Sequence, residues 1–413
     1  MGEAGGALAG RRIAIAGGGI AGLAAAAALA GRGARVAVYE QAASLREFGA
    51  GLQVSPNGMA VMRALGLERA VLAAGCRAAA VELSDGLTGR LVLRLGLAGA
   101  PYVFLHRGAL LGLLAEAARA AGAEIVTGRR IVLDPGPGDG LARARLTMAS
   151  GSNGPAPGQG RPGAPPAQDG LQMPALAADL LLGADGIHSA VRAAVDGGFP
   201  ARFTGQVAWR AVIPLEPGAA PVASVAMGPG RHLVSYPLGE GLRNIVAVEE
   251  RAAWAEESWS QRDAPEHLRR AFAGFAPPVR AWLDRVGEVH LWGLFRHPVA
   301  ARWHAGRAAI LGDAAHPTLP FLAQGANMAL EDAWTLADRL DRAPPEAALP
   351  AWQALREARV RRIVATAQAN ARHYHLRGPL KTAAHLALRL GGRIAPGAAT
   401  RRFDWLYGHD VTR

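Results

Sequence analysis

Residues 308–334 read AAILGDAAHPTLPFLAQGANMALEDAW, and this stretch decides the fold. Its first four residues form an apolar run typical of a buried strand, and the chain then turns at Gly312-Asp313. After Gln324-Gly325, apolar residues recur at helical spacing, which predicts a helix over residues 326–340. Because Asp313 follows a strand and precedes a helix, its carboxylate is placed to reach a hydroxyl-bearing ligand.

A glycine-rich turn lies near the start of the chain. Gly17-Gly18-Gly19-Ile20-Ala21-Gly22 stands between an apolar strand, Arg12–Ala16, and an alanine-rich helix, Ile20–Ala30. Glycines at such a turn let the backbone approach a diphosphate, and the helix N-terminus favours its negative charge. A second strand is predicted at residues 35–39. Glu40 at its end is placed for the hydroxyls of an adenosine ribose, which favours FAD or NAD over NADP.

A third motif lies in the middle of the chain and reads Gly183-Ala184-Asp185-Gly186-Ile187-His188-Ser189-Ala190-Val191-Arg192. It follows a buried apolar strand at residues 178–182. A lone glycine turn is weak evidence of a dinucleotide site. Together and in this order, the three motifs resemble the class A flavoprotein monooxygenases, the para-hydroxybenzoate hydroxylase family.

That resemblance implies a fold class and a division of the chain. The fold is α/β, with an FAD-binding Rossmann-like domain, an inserted mixed β-sheet substrate domain and C-terminal helices. The FAD-binding domain is expected at residues 1–76, 106–195 and 301–345, the substrate domain at 77–105 and 196–300, and a helical region at 346–413. Residues 149–174 are rich in Gly, Pro, Ser and Ala. Such a segment buries too little apolar surface to order itself, so we predict a flexible loop there.

The resemblance also implies the chemistry. NADH or NADPH reduces the bound FAD, O2 adds at the flavin C4a position, and the hydroperoxide transfers a hydroxyl to an electron-rich aromatic ring. We therefore expect an NAD(P)H-dependent FAD monooxygenase that acts on a small aromatic substrate.

Other functions are compatible with the same motifs. A ubiquinone-pathway ring hydroxylase at the membrane surface uses the same chemistry. An FAD-dependent reductase of the same fold never activates O2. A flavin-binding protein without catalysis is disfavoured, since all three motifs are complete.

The family's motifs, matched residue by residue, assign the cofactor site. The expected contacts of FAD are Gly17, Gly19, Ile20, Ala21, Gly22, Glu40, Gln53, Arg107, Asp185, Gly312, Asp313, Gly325, Ala326 and Asn327. In the family, the aspartate that Asp313 matches binds the ribityl chain, and a helix N-terminus stabilises the reduced flavin. The Asp185 motif links the diphosphate region to transient nicotinamide binding, although Ser189 and its turn could instead cap a short helix that carries Arg192.

The substrate site is matched by Thr204-Gly205-Gln206-Val207-Ala208-Trp209-Arg210, which resembles the salicylate and 3-hydroxybenzoate hydroxylase branch. There a histidine that manages a phenol proton can follow Thr-Gly, whereas Gln206 cannot act as a base. We therefore expect a ring activated by an amino group or a ring heteroatom, or a base elsewhere such as His232. The expected catalytic residues are Pro320, Gln206 and His232, and the expected substrate contacts are Gln206, Trp209, Tyr236, Pro320 and Phe321. An aromatic residue on an inserted strand can equally be plain core.

Composition excludes several other classes of protein. The chain has 413 residues, 50% of them hydrophobic, and one cysteine, which rules out an intramolecular disulfide and a cysteine-based metal cluster. No HExxH or CxxC motif is present, so we expect no metal. Since no apolar run reaches the roughly 20 residues of a membrane span, we predict a cytoplasmic protein without membrane contact, and a homodimer is an open expectation.

The net charge of +12 would ordinarily indicate a nucleic-acid partner. No basic run is interleaved with aromatic residues, so we expect none. Basic residues of the tail, from Arg356 to Arg402, recur at helical spacing and predict one solvated helix face. A weak contact with a membrane surface is the alternative interpretation.

Overall fold

The computed structural model describes residues 6–45, 51–97, 99–134, 144–149, 176–198, 200–252, 261–395 and 397–413. The predicted flexible loop at 149–174 lies, apart from Ala149, outside the described residues.

The strands are, in chain order, β1 (Arg12–Ala16), β2 (Arg35–Glu40), β3 (Gly51–Val54), β4 (Cys76–Arg77), β5 (Ala80–Asp85), β6 (Leu91–Gly96), β7 (Val103–His106), β8 (Glu124–Thr127), β9 (Arg129–Leu133), β10 (Ala144–Met148), β11 (Leu180–Gly183), β12 (Arg202–Pro214), β13 (Val222–Gly228), β14 (Arg231–Pro237), β15 (Leu242–Glu250), β16 (Arg262–Asp263), β17 (Val289–Arg296), β18 (His304–Ala305) and β19 (Ala308–Ile310). The α-helices are α1 (Ile20–Ala30), α2 (Pro56–Ala64), α3 (Glu68–Ala74), α4 (Arg107–Ala120), α5 (Ala190–Val195), α6 (Pro265–Ala271), α7 (Pro277–Asp284), α8 (Gly325–Arg342), α9 (Pro345–Tyr374), α10 (Gly378–Ile394), α11 (Ala398–Arg401) and α12 (Asp404–Tyr407). Short 3-10 helices lie at Gly312–Ala314 and Pro320–Leu322.

A mostly parallel sheet forms the first layer, with the strand order β18-β19-β11-β1-β2-β8 among the described residues. Strand β1 pairs in parallel with β11 on one side and β2 on the other. Strands β1, β11 and β19 run directly into the first, middle and third motifs. Since the carboxyl ends of parallel strands share one edge of a sheet, all three motifs meet there.

The buried position of helix α1 explains why its sequence is almost all alanine and leucine. Every one of its residues is buried, because it lies between the parallel sheet and helices α4 and α8. A helix that is apolar all round is a buried helix, and small side chains let neighbouring backbones approach.

The second large sheet has the order β16-β17-β12-β15-β14-β13-β5-β6 among the described residues. Strands β5 and β6, from early in the chain, join it through parallel pairing of β5 with β13. One face packs against α6 and α7, with Phe272 and Leu283 in the shared core. The opposite face carries Ala208 and Trp292 and packs against Leu319 and Phe321 of the third-motif segment. The cleft between this face and the parallel sheet therefore adjoins the three motifs.

These observations confirm the predicted α/β fold class with its C-terminal helices, while the exact domain boundaries stay a prediction. Helix α6 ends at Ala271, and α7 follows as a separate helix. Pro277 and Pro278 open α7, in keeping with the preference of proline for the first turn of a helix.

The prediction of one solvated basic face on the tail is wrong for Arg356 and Arg359, whereas several other arginines of the tail are exposed. Arg356 is 1% exposed and pairs with Glu331 (Nη1 to Oε2, 2.5 Å) and Asp332 (Nε to Oδ1, 2.9 Å). Arg359 also pairs with Glu331, at 2.8 Å. Helix α9 packs across α8, so these arginines lie over two buried carboxylates. Lys381 of α10 is likewise paired, with Asp85 at 2.8 Å.

Among the described residues, no helix combines the length and the apolar character required to cross a membrane.

Candidate active site

Close packing leaves no room for a side chain at Gly17 and Gly22 of the glycine-rich turn, whereas the space beside Gly19 is open. A Cβ at Gly17, whose φ is +100°, would lie 2.4 Å from the Ala184 carbonyl oxygen, and a Cβ at Gly22 would lie 2.0 Å from the Gly17 oxygen. At Gly19, no described atom lies within 4 Å of an added Cβ. Helix α1 begins there, and in the described structure no side chain caps it. The open space and the unbonded helical amides form a cradle that fits a diphosphate.

Glu40 closes the other side of this cradle. Its carboxylate accepts hydrogen bonds from the backbone N–H of Gly18 (2.8 Å) and of Ala42 (2.7 Å). A carboxylate can accept about four hydrogen bonds, so acceptor capacity is left for ribose hydroxyls. The sequence-predicted position of Glu40 beside the glycine turn is what the structure shows.

The third motif turns directly on top of α1. Gly312 has φ +60°, and an added Cβ would lie 2.8 Å from the Cβ of Ala21. Asp313 is exposed although Gly312 and Ala314 on either side are buried. Arg107, at the start of α4, lies close by: burial lowers the pKa of its guanidinium, and the Asp313 carboxylate acts in the opposite direction. Asp313 thus presents an exposed carboxylate at the edge of the sheet, close to the Arg107 guanidinium.

The N-terminus of α8 is held against the loop before α2. Asn327 accepts a hydrogen bond from the Ser55 N–H at 3.0 Å and donates to the Gln53 carbonyl at 3.0 Å. Gln324 donates to the Ser55 hydroxyl at 3.0 Å. The side chain of Gln53, expected at the cofactor, accepts instead from the Tyr102 hydroxyl at 2.7 Å. In this structure, Gln53 and Asn327 use their side chains to build the loop, and their backbone borders the cleft.

A buried ionic cluster that was not predicted from the sequence holds helix α8 in place. Asn57 donates to Glu331 at 2.7 Å, and His316 Nε2 lies 2.5 Å from Asp332 Oδ2. Burial raises the pKa of Asp332, but His316 and Arg356 outweigh it and hold that pKa at about 2. The charged carboxylates therefore stay ionised and fix the helix N-terminus in place.

The middle motif is mainly structural in this geometry. Asp185 accepts from the Ala190 N–H at 2.9 Å, and the Ser189 hydroxyl caps α5 through the Arg192 N–H at 2.8 Å. Arg192 itself donates to the Pro298 carbonyl at 2.7 Å. The cap by Ser189 is the alternative that the sequence left open, and the Arg192 guanidinium is occupied by the protein. Asp185 lies beside Gly17 at the diphosphate cradle.

These features fit FAD. The Gly19 cradle would hold the diphosphate, Glu40 the ribose and Asp313 the ribityl chain, and the N-terminus of α8 would face the flavin ring. When bound, FAD supplies the redox chemistry by accepting electrons from NAD(P)H and activating O2. No group of His, Cys, Asp or Glu side chains in the described part of the chain is arranged to hold a metal ion.

The floor of the cleft is a row of side chains on three paired strands. Arg210 lies opposite Val246, and Val246 lies opposite Val234. All three keep some accessible surface although they sit inside the sheet, as expected for residues that line an internal cleft. Burial lowers the pKa of Arg210 to about 10, while Tyr236 and Arg107 act in opposite directions. Its guanidinium lies 4.5 Å over the Trp292 ring.

Arg210 is a candidate ligand-binding residue that sequence reasoning missed. Its Nε is buried and makes no hydrogen bond to any described residue. The available signal was a single cation inside the otherwise apolar run from Val207 to Ile213.

Three of the expected substrate contacts lie on this side of the sheet. Tyr236 is buried and packs on Phe104, with ring centroids 5.2 Å apart. Phe321 packs on His232 at the same centroid distance, 5.2 Å. Pro320 opens the 3-10 helix that carries Phe321 and is half-buried.

Trp209 does not belong with them. Its side chain is on the opposite face of β12, in the core with Phe272 and Leu268. Its indole N–H donates to Asp263 at 2.7 Å. The expectation that Trp209 contacts substrate is wrong, because side chains alternate along a strand and Arg210 takes the cleft side.

Gln206 and His232 are joined through a residue that was not predicted. His232 Nδ1 lies 2.7 Å from His375 Nε2, and the Gln206 amide lies 3.2 Å from His375 Nδ1. His375 follows the end of α9. No sequence signal links it to β12 or β14, since the contact depends on how α9 packs. Direct contact of Gln206 and Pro320 with substrate stays a prediction.

Comparison with known proteins defines the class. The family described as FAD binding domain matches residues 11–151 and 164–367. A 3-amino-4-hydroxybenzoate 2-monooxygenase of Streptomyces platensis is 34% identical over 423 residues, 97% of this chain and 96% of that protein. A 3-hydroxybenzoate 6-hydroxylase of Polaromonas naphthalenivorans is 32% identical over 417 residues, 97% and 96% of the two chains. Klebsiella pneumoniae HpxO, solved with FAD and uric acid, has a TM-score of 0.75 at 27% identity, covering 94% of this chain and 95% of that one.

The chain therefore belongs to this FAD-binding family, in agreement with its three motifs. Within the family it is an FAD-dependent aromatic monooxygenase, for which NAD(P)H is the typical electron donor. The predicted function is confirmed at this level, and neither the ubiquinone-pathway enzyme nor the reductase is favoured.

Proposed function

We propose that the protein hydroxylates an aromatic carboxylate and that Arg210 binds the carboxylate group. The observation that carries this proposal is the environment of the guanidinium. Two ionisable groups shift its pKa, Tyr236 and Arg107, and neither is a carboxylate. The Nε atom has no hydrogen-bond partner among the described residues.

A buried cation without a carboxylate is costly, and an anionic ligand relieves that cost. Arginine donates two parallel hydrogen bonds to a carboxylate, so it fixes the orientation of the ring as well as its charge. The names of the two relatives each include a benzoate. That agreement supports an aromatic carboxylate as the substrate class.

We further propose that the ring carries an amino group or another strong activator beside its hydroxyl. Hydroxyl transfer needs an electron-rich ring, and Gln206 cannot ionise a phenol as a histidine would, so an amino group would add to whatever activation a base elsewhere provides. The relative at 34% identity acts, by its name, on an aminohydroxybenzoate. Gln206, Pro320 and Phe321 would contact the ring, with Tyr236 nearer to Arg210.

The test is a substrate panel with the FAD-loaded enzyme. The panel compares 3-amino-4-hydroxybenzoate with 3-hydroxybenzoate, salicylate and 2-aminophenol, and NAD(P)H oxidation, O2 uptake and product are measured together. We expect the aminohydroxybenzoate to be hydroxylated with tight coupling. The ring that lacks a carboxylate should lose at least roughly 30-fold in kcat/KM, the equivalent of about 2 kcal/mol. Equal turnover of 2-aminophenol would contradict the carboxylate assignment, and tightly coupled turnover of salicylate would contradict the activation argument.

A cytoplasmic location, a homodimer and the absence of nucleic-acid and membrane partners stay predictions from the sequence. Light scattering on the purified enzyme and flotation with liposomes at low and high salt test the dimer and the membrane contact.

A further inference from the structure

A chain of titratable side chains runs from the cleft to the surface. At its inner end, His232 is 1% exposed and packs against Phe321 and Tyr374. Its Nε2 is buried and makes no hydrogen bond to any described residue. His232 lies two residues along β14 from Val234, which lines the floor of the cleft. His232 therefore lies on the face of the sheet that lines the cleft, and its buried Nε2 has no hydrogen-bond partner among the described residues.

The middle of the chain is His375. Its Nε2 lies 2.7 Å from His232 Nδ1, and its Nδ1 lies 3.0 Å from Glu250 Oε1. Both ring nitrogens of His375 are thus used, one facing inward and one facing outward. A neutral imidazole that accepts at one nitrogen and donates at the other can pass a proton across itself.

The outer end reaches water. The Glu250 side chain is 40% exposed and also pairs with Arg377, at 2.5 Å. It lines a surface hollow of about 430 Å³ together with Gln206, Arg251 and Arg372. A proton that arrives at Glu250 can leave to solvent.

We propose that His232, His375 and Glu250 form a proton relay that ionises the hydroxyl of the bound ring and releases its proton to solvent. The relay rests on the proposed function, because the proton comes from an aromatic substrate. The substrate O–H gives its proton to His232 Nε2, His232 Nδ1–H passes a proton to His375 Nε2, and His375 Nδ1–H passes one to Glu250. The resulting phenolate is the electron-rich ring that hydroxylation needs. When the hydroxylated ring regains aromaticity, a proton passes back along the relay to the substrate oxygen. This return restores the starting tautomers of His232 and His375.

The charges around the two rings favour the neutral forms that a relay requires. Burial lowers the pKa of His232 well below its ordinary value, and His375 lowers it further. Burial also lowers the pKa of His375; Glu250 opposes this, whereas Arg377 and Arg231 reinforce it. Both imidazoles are therefore uncharged near neutral pH and keep one nitrogen free to accept.

The relay also accounts for Gln206. A glutamine at that position cannot take a phenol proton, and its amide nitrogen lies 3.2 Å from His375 Nδ1. The base is then supplied by β14.

The experiment measures proton release in FAD-loaded enzyme. Rapid mixing with 3-amino-4-hydroxybenzoate in weak buffer, with a pH-indicator dye, follows the proton as it reaches solvent. The variants are His375→Gln and Glu250→Gln. The matched control is Glu357→Gln, which also removes a partly exposed, ion-paired carboxylate, at 2.7 Å from Arg361 on α9. Flavin absorbance changes report binding of the probe separately.

We expect release to slow by about tenfold or more in both relay variants and to stay within about twofold of wild type in the control. Probe affinity should change little in all three. Release at the wild-type rate in both relay variants would overturn the relay. Failure of the probe to bind wild-type enzyme would instead count against the proposed substrate class.

A ligand-free measurement keeps the relay testable in that case. NMR of ¹⁵N-histidine-labelled, FAD-loaded protein reports the tautomers directly. We expect His232 and His375 to be neutral and protonated at Nδ1, and Glu250→Gln to shift the His375 resonances where Glu357→Gln does not. A neutral His232 protonated at Nε2, or a His375 insensitive to Glu250→Gln, would refute the proposal whatever the substrate is.

Discussion

Replacing Arg210 by methionine should stabilise the FAD-loaded protein in the absence of substrate while weakening substrate binding. Burial lowers the pKa of Arg210 to about 10, well below the ordinary value of a guanidinium. At about 1.4 kcal/mol per pKa unit, the charged form is disfavoured by on the order of 3 kcal/mol in the folded state. The stacking on Trp292 recovers about 1 kcal/mol. The net gain expected for Arg210→Met at pH 7 is therefore about 2 kcal/mol.

The sign follows from proton linkage. Below about pH 10 the guanidinium is charged in both the folded and the unfolded chain, so the full penalty is present at pH 7. It is relieved as the pH rises through the folded pKa toward the unfolded one. The same substitution removes the proposed carboxylate ligand, so substrate affinity should fall at least roughly 30-fold.

The assay is urea unfolding of wild type, Arg210→Met and Arg356→Met, with substrate affinity measured in parallel. Arg356 is the matched control: it is also buried, but it pairs with Glu331 and Asp332. Removing it leaves buried carboxylates short of a partner, so Arg356→Met should destabilise by about 3–5 kcal/mol. If Arg210→Met destabilised the protein as much as Arg356→Met, the Arg210 charge would be satisfied internally and the reasoning would be refuted.

The other predictions concern the cofactor cradle and acid stability. Asp313→Ala should lower FAD retention, measured as the ratio of flavin to protein absorbance. Folding should change little because the side chain is exposed. Full flavin occupancy of this variant would contradict the assignment of Asp313 to the cofactor. Gly22→Ala should prevent folding, since its Cβ would lie 2.0 Å from a backbone oxygen, whereas Gly19→Ala should fold and bind FAD more weakly because its Cβ projects into the open cradle. Equal soluble yield and equal FAD affinity for the two variants would contradict this distinction. The pKa of Asp332 is held at about 2, below its unfolded value, so its stabilisation is complete above about pH 4 and is lost as the pH falls toward 2. Asp332→Asn should flatten the pH dependence of the unfolding free energy in that range, and an unchanged slope would show that other groups control it.

The sequence by itself determined the fold class and the class of reaction, and it located the glycine cradle that we assign to FAD. Each of the three motifs is local: a strand, a turn and a helix start follow one another within about 20 residues. Parallel strands place their carboxyl ends at one edge, so the meeting of Gly17, Asp185 and Gly312 follows from the chain order of these elements. Glu40 and Asp313 are found in the same way, because a carboxylate at a strand end has a fixed place relative to the turn.

Only the tertiary structure decided which side chains face the cleft. The alternation along β12 shows that Trp209 and Arg210 point to opposite faces, but not which face packs on α6 and which on the cleft. The same holds for the C-terminal arginines. Helical spacing groups Arg356 and Arg359 on one face of a helix, but it does not show that both pair with Glu331. His375 meets His232 across 143 positions of sequence through the packing of α9. Local periodicity determines how side chains are grouped, whereas contacts between distant segments determine what each group touches.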